Sequence, residues 1–133
     1  MDENVINRPQ LLAPLVLAYI GDSVYEVYVR TRIVSEHPDM PAGKLHKESI
    51  KHVSAKAQAN SILRIENILE EDELAIYKRG RNAKSPTVPK NADVTQYRQA
   101  TGFEALVGYL YLSDRKERLS LIMKAAYENG LNK

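Results

Sequence analysis

Two long stretches of this sequence are apolar on almost every side, yet each carries one acidic residue in its middle. Residues 11–33 contain Asp22, and residues 94–112 contain Glu104. The apolar residues recur at helical spacing and crowd more than one helix face, which is typical of helices buried inside a domain. The sequence therefore predicts two buried helices packed within a larger helical assembly.

The rest of the chain continues the helical pattern. Residues 44–67 and the segment "EEDELAIYKRG" read as two further helices, and a last helix runs through Tyr127, whereas "RNAKSPTVPKNAD" reads as a loop. No alternating strand pattern and no internal repeat is present. At 133 residues the chain suits one domain. We expect an all-α helical bundle in a single domain, residues 1–133, with its core at about residues 11–128.

Composition excludes several classes of protein. The sequence has no cysteine, which rules out disulfides and thiolate metal sites. Its formal net charge of +2 is too small to indicate a nucleic-acid partner by itself. The apolar stretch after the N-terminus is broken within ten residues by Gly21 and Asp22, which predicts no membrane span and a cytoplasmic protein.

The two acids are the residues most in need of an explanation. An ionised carboxylate in an apolar interior costs several kcal/mol unless it is paired, hydrogen-bonded or bound to a metal ion. Glu104 has no Lys or Arg three or four residues away. If Asp22 and Glu104 meet, they could share a hard cation such as Mg²⁺, as a site that cleaves phosphodiesters requires. The alternative is that each acid lies on a helix surface or bonds a buried Tyr, Arg or backbone amide.

A glycine accompanies each acid. Gly21 precedes Asp22, and Gly108 lies one turn beyond Glu104. Glycine inside a helix costs about 1 kcal/mol relative to alanine, so something must approach the backbone closely at both places. Close helix packing is the favoured explanation, and an approaching phosphate is the other.

A strongly basic segment separates the two acids. Residues 75–91 contain five basic residues and no acid. Together with Asn82, these side chains suit contacts with phosphate groups, which give affinity without reading sequence. The alternative is a solvated loop balanced by the acidic run at residues 70–73. The candidate phosphate-binding residues are Lys78, Arg79, Arg81, Asn82, Lys84 and Lys90.

These motifs resemble those of a known family. "LAYIGDSV" resembles the signature helix of the ribonuclease III endonuclease domain, and "TGFEALVGYLYL" resembles its second acidic helix. Their order and separation also fit. "KRGRNAKS" and "PKNADV" resemble the basic insertion of the short branch of the family, Mini-ribonuclease III, which lacks a double-stranded-RNA-binding domain.

The resemblance implies a Mg²⁺-dependent endoribonuclease, with Mn²⁺ as a substitute, that acts on double-stranded RNA as a homodimer. Its products would carry 5′-phosphate and 3′-hydroxyl ends. Carried over residue by residue, Asp22 and Glu104 would be the catalytic residues and the metal ligands. The phosphate-binding candidates of the basic segment would be the RNA-binding residues. For the short branch, the implied substrate is the precursor of large-subunit (23S) ribosomal RNA, with a ribosomal protein as a partner that presents the RNA.

Two departures from the family pattern leave other functions open. Ala18 and Thr101 stand where the family usually has acids, four residues before Asp22 and three before Glu104. Fewer charges should hold a metal ion more weakly. The alternatives are a non-catalytic RNA-binding or ribosome-associated module with the same fold, and a helical adaptor whose apolar segments form an interface.

Overall fold

The computed structural model describes residues 6–84, 88–90 and 92–131, which form six α-helices and two short 3₁₀ turns. The helices are α1 (Pro14–Glu36), α2 (Ala42–Val53), α3 (Ala55–Ile65), α4 (Glu71–Asn82), α5 (Val94–Leu112) and α6 (Lys116–Asn129). The turns are Pro9–Leu11 and Glu66–Ile68. These residues contain no strand, so the all-α prediction is confirmed.

Helix α5 lies at the centre of the bundle. It packs against α1, α3, α4 and α6, which together cover nearly all of its faces. Tyr25 of α1 meets Phe103 of α5 edge to face, with ring centroids 4.9 Å apart. The prediction of a buried helix is therefore confirmed for α5, whose buried residues are Ala100, Gly102, Phe103, Ala105, Leu106, Val107, Gly108 and Leu110.

Helix α1 is buried on one face only. Its inner face carries Leu17 and Tyr25, whereas Val16, Tyr19 and Val27 are exposed on the opposite face. Tyr19 is 77% exposed. The expectation that α1 is buried on more than one face is wrong for the isolated chain, because the other helices pack against only one side of α1.

The segment predicted as one helix at residues 44–67 is two helices and a 3₁₀ turn. Ser54 has extended backbone angles, φ −63° and ψ 156°, and its side chain accepts a hydrogen bond from the Ala57 amide at 3.2 Å. Serine is among the preferred residues for the cap that begins a helix. The break lets α2 pack against α1 while α3 runs against α5 and α6.

Local capping sets the ends of the helices beside the basic segment. Helix α4 begins with a capping box between Glu70 and Glu73, and α5 begins where Asp93 accepts from the Gln96 amide at 3.0 Å. Helix α4 continues through Asn82, so the predicted loop begins later than expected. Residues 85–87 and 91 of that loop lie outside the described residues.

Candidate active site

Helices α1 and α5 touch backbone to backbone at the two glycines. A Cβ atom on Gly21 would overlap the Glu104 carbonyl oxygen and would lie 2.8 Å from the Gly108 nitrogen. A Cβ atom on Gly108 would overlap the Leu17 carbonyl oxygen. Close helix packing, the favoured explanation of both glycines, is therefore confirmed.

This contact brings the two acids together. Asp22 follows Gly21 on α1, and the Glu104 side chain lies within hydrogen-bonding reach of Asp22. The pKa of the Glu104 carboxyl is raised to about 8, first because burial disfavours its charged form and then because the Asp22 charge is close. A cation at this point would oppose both effects and would favour the ionised form of Glu104.

The two acids differ in exposure. Asp22 is exposed, and Glu104 is only partly exposed among α5 residues that are mostly buried. The expectation that Asp22 is buried is wrong, because Asp22 lies at the edge of the inner face of α1 rather than within it. The site thus has one acid held in the bundle and one acid accessible from solvent.

The other two positions that carry acids in the family do not add ligands. Ala18 is 7% exposed and has no polar side-chain atom, and the Thr101 hydroxyl donates to the Tyr97 carbonyl within its own helix at 3.0 Å. Among the described residues, no group of three or more His, Cys, Asp or Glu side chains could hold a metal ion. The candidate centre is therefore a pair of carboxylates.

A buried amide completes the site, and sequence reasoning missed it. Gln58 of α3 is 1% exposed, and its side chain lies within hydrogen-bonding reach of Glu104. Its Nε2 donates to the Val53 carbonyl at 3.1 Å. A long polar side chain between Ala57 and Ala59, on a helix with a buried face, was the available signal.

The candidate RNA-binding residues occupy different environments. Lys78, Arg79, Arg81 and Asn82 lie in the last part of α4. Arg79 donates to the backbone carbonyl groups of Gln10 and Leu12, at 2.9 and 3.2 Å, so it ties the N-terminal segment to α4. Arg81 lies over the Tyr77 ring and donates to Asn82 Oδ1 at 3.2 Å. Lys78 is exposed.

Lys84 and Lys90 follow α4 and are both exposed. Lys84 lines a groove of about 260 Å³ together with Arg98 and Thr101 of α5. Thr101 lies one helical turn before Glu104, so the groove adjoins the candidate site. Sequence reasoning did not include Arg98 among the candidate RNA-binding residues, because Arg98 falls outside the basic segment.

The acidic run at the start of α4, residues 70–73, does not balance the basic segment. Arg115 bonds Glu70 at 2.8 Å and also bonds Asp72, while Arg118 bonds the fully buried Glu73 at 2.6 Å. These partners come from α6 and the residue before it. The alternative of a basic loop balanced by residues 70–73 is therefore not supported.

None of the helices in residues 6–84, 88–90 and 92–131 combines the length and the apolar character needed to cross a bilayer.

Comparison with known proteins gives consistent matches over most of the chain. The sequence model of the family described as "Ribonuclease III domain" matches residues 15–115. The Mini-ribonuclease 3 of Thermoanaerobacter sp. strain X514 is 54% identical over 117 residues, which are 88% of this chain and 82% of that protein. The Mini-ribonuclease 3 of Brevibacillus brevis strain 47 is 48% identical over 125 residues, covering 94% and 92% of the two chains.

A solved structure agrees with the sequence comparison. The crystal structure of protein FN1578 from Fusobacterium nucleatum matches with a TM-score of 0.79 and 30% identity, over 89% of this chain and 93% of that chain. The fold and the family model agree with relatives that are about half identical to this chain. This chain therefore belongs to the ribonuclease III family, in the group of the Mini-ribonuclease 3 proteins.

Proposed function

We propose that the chain is a Mg²⁺-dependent endoribonuclease that cleaves double-stranded RNA, with Asp22 and Glu104 as its catalytic residues and metal ligands. The observation that carries the proposal is the meeting of these two carboxyl groups where α1 and α5 touch. Mn²⁺ is the expected substitute. Products with 5′-phosphate and 3′-hydroxyl ends follow from the resemblance to the family.

The residues present fit a hard divalent cation. Mg²⁺ prefers oxygen ligands, and it is commonly held by one or two carboxylates while waters and substrate phosphates fill its other positions. The site offers two carboxylates, and the buried Gln58 Oε1 has no hydrogen-bond partner within the described part of the chain. A raised pKa of Glu104 is also what a site with too little positive charge would produce.

Each residue has a distinct part in the proposed reaction. Glu104 is held inside the bundle, so its carboxylate gives the site a fixed anchor. Asp22 is exposed and can face a phosphate of the RNA. A bound divalent cation would activate water at neutral pH and stabilise the 3′ leaving oxygen. No other side chain is needed as a base.

The basic residues supply contacts to the RNA backbone in this proposal. Double-stranded RNA is recognised mostly by shape and by phosphate and 2′-hydroxyl contacts. Lys84 lies in the groove beside Thr101, and Lys78 and Lys90 are exposed, so their ammonium groups are available to phosphates. Arg81 and Asn82 remain candidates, whereas the guanidinium group of Arg79 is already engaged with backbone carbonyl groups.

A homodimer through α1 is part of the proposal. Val16, Tyr19, Val27 and Val34 fall on one face of α1 at helical spacing, and all four are exposed. Aligned apolar side chains on the surface of one helix are typical of a protein interface. The occupant we propose is α1 of a second copy, as the resemblance to the family implies.

The finer assignments rest on the same resemblance. We propose that the chain works in the cytoplasm on the precursor of 23S ribosomal RNA, and that a ribosomal protein presents the RNA. Residues 1–133 would form one endonuclease domain with its core at about 11–128. The second candidate, a non-catalytic RNA-binding or ribosome-associated module, is favoured by Ala18 and Thr101, which leave the site with two acids.

The test is cleavage of a long double-stranded RNA with Mg²⁺ by the unaltered chain and by Asp22→Asn and Glu104→Gln. Each variant keeps the shape of its side chain and removes the charge. Asp114→Asn is the matched control, because Asp114 is 81% exposed beyond the end of α5. We expect cleavage by the unaltered chain and the control only, with RNA binding kept by all. RNA binding without cleavage by the unaltered chain would instead support the non-catalytic module.

A further inference from the structure

Gln58 is a buried polar side chain whose amide nitrogen has a hydrogen-bond partner, whereas its amide oxygen has none among the described residues. Its Nε2 donates to the carbonyl group of Val53, the last residue of α2, at 3.1 Å. That acceptor fixes the orientation of the amide, because only the nitrogen can donate. Gln58 is thereby tied to the break between α2 and α3.

The second hydrogen of the same amide nitrogen is available to Glu104. The Gln58 side chain lies within hydrogen-bonding reach of the Glu104 carboxyl, and a hydrogen bond from an amide favours the ionised carboxylate. Both residues are held by helices that pack against each other, α3 and α5. Gln58 can therefore fix the rotamer of Glu104.

The other end of the amide is its oxygen, Oε1. Gln58 Oε1 is buried and accepts no hydrogen bond within the described part of the chain, although Gln58 is only 1% exposed. Buried polar atoms of this kind are uncommon in folded proteins and call for an explanation such as an ordered water, an ion or a catalytic role. An oxygen acceptor on a side chain that interacts with Glu104 suits a water molecule held by a cation.

We infer that Gln58 is a positioning residue of the candidate site: its amide N–H holds the Glu104 carboxylate toward Asp22, and its Oε1 accepts from a water ligand of the divalent cation. This role rests on the proposed function. The site has Ala18 and Thr101 where the family usually has acids. A neutral amide such as Gln58 can orient the two acids that remain.

The inference is tested by the affinity of the chain, residues 1–133, for Mn²⁺, measured by electron paramagnetic resonance of the free ion without RNA. Gln58→Met keeps the length of the side chain and removes both polar atoms. Gln58→Asn keeps an amide but withdraws it by one methylene, and it serves if the first variant does not fold. We expect the Kd for Mn²⁺ to rise about tenfold or more in either variant, the usual loss when a partner of a metal ligand is removed.

The matched control is Ser61→Ala. Ser61 is also a fully buried polar residue of α3, but its hydroxyl donates to the Ala126 carbonyl of α6 at 2.8 Å. We expect this variant to lower Tm and to leave the Kd for Mn²⁺ unchanged. A change of equal size in Ser61→Ala would mean that Gln58 acts only through the stability of α3.

Two further results would overturn the inference, and they separate a failure of the role of Gln58 from a failure of the proposed function. If folded Gln58→Met binds Mn²⁺ as tightly as the unaltered chain, and the unaltered chain cleaves RNA, only the role of Gln58 fails. If the unaltered chain neither binds Mn²⁺ nor cleaves RNA, the proposed function fails and the role of Gln58 fails with it.

Discussion

The contact between α1 and α5 makes Gly21→Ala the most informative single change outside the two acids. The added methyl group would overlap the Glu104 carbonyl oxygen and lie 2.8 Å from the Gly108 nitrogen. Both obstacles belong to the backbone, which cannot rotate away as a side chain can. The two helices must therefore move apart at the point where Asp22 and Glu104 meet.

The expected cost follows from two opposing effects. Alanine is favoured over glycine inside a helix by about 1 kcal/mol. Inserting a methyl group into a tightly packed contact costs about 1–3 kcal/mol, and backbone obstacles place this case at the upper end. We expect the free energy of unfolding to fall by about 2 kcal/mol. A displacement of about 1 Å between catalytic groups can reduce the rate on the order of 100-fold.

The chain offers a close control in Gly43→Ala. Gly43 also lies in a helix, α2, but among the described residues nothing outside the adjacent backbone of α2 comes within 4 Å of a Cβ atom built there. Thermal unfolding and cleavage of double-stranded RNA would be measured for both variants. We expect Gly43→Ala to keep or raise Tm and to cleave normally. If Gly21→Ala matched it in both measurements, the close contact between α1 and α5 would not set the geometry of the site.

Three other predictions test separate features. The raised pKa of Glu104, about 8, means that the folded chain binds a proton that the unfolded chain releases near pH 4, so without metal the free energy of unfolding falls as pH rises through this window. Calorimetry in a chelator should show this fall in the unaltered chain and a smaller one in Glu104→Gln; equal slopes would contradict it. Lys78→Ala should leave Tm unchanged and reduce the slope of log K for RNA binding against log salt concentration by about one. Arg79→Ala should instead lower Tm, because two backbone carbonyl groups lose their hydrogen-bond partner. The reverse pattern would show that Arg79 serves the RNA and Lys78 the fold. Tyr19→Asp should convert a dimer to a monomer by light scattering, because it places a charge on the exposed apolar face of α1; an unchanged mass would exclude this face as the interface.

The sequence was sufficient to predict that α5 is buried and that the backbone is closely approached at Gly21 and Gly108. Apolar residues on every side of α5 indicated burial, and a helix-interior glycine near each acid indicated a close approach. Both conclusions depend on periodicity and backbone sterics, which are local in the sequence. They needed no knowledge of which helices are neighbours.

The errors came from properties that depend on neighbouring elements. Asp22 has apolar neighbours in sequence, but its exposure depends on which side of α1 the other helices cover. Ser54 suits a helix interior or a cap, and only the packing of α3 against α5 and α6 decides between them. The position of Gln58 follows from that break, so the buried amide could not be assigned to the site from the sequence alone.

The C-terminal end of α4 and the first half of α5 lie on either side of the groove that is lined by Lys84, Arg98 and Thr101. Helix α4 ends at Asn82 and α5 begins at Val94, and each of these boundaries has its own capping hydrogen bond and packing. Doubling the length of a loop between two fixed ends costs only about 0.6 kcal/mol in chain entropy. Insertions and exchanges there should be well tolerated, and each would present new side chains beside unchanged acids. Replacing the segment between α4 and α5 would therefore be a way to alter which RNA is cut without changing the acids. Natural sequence divergence can act on the same segment.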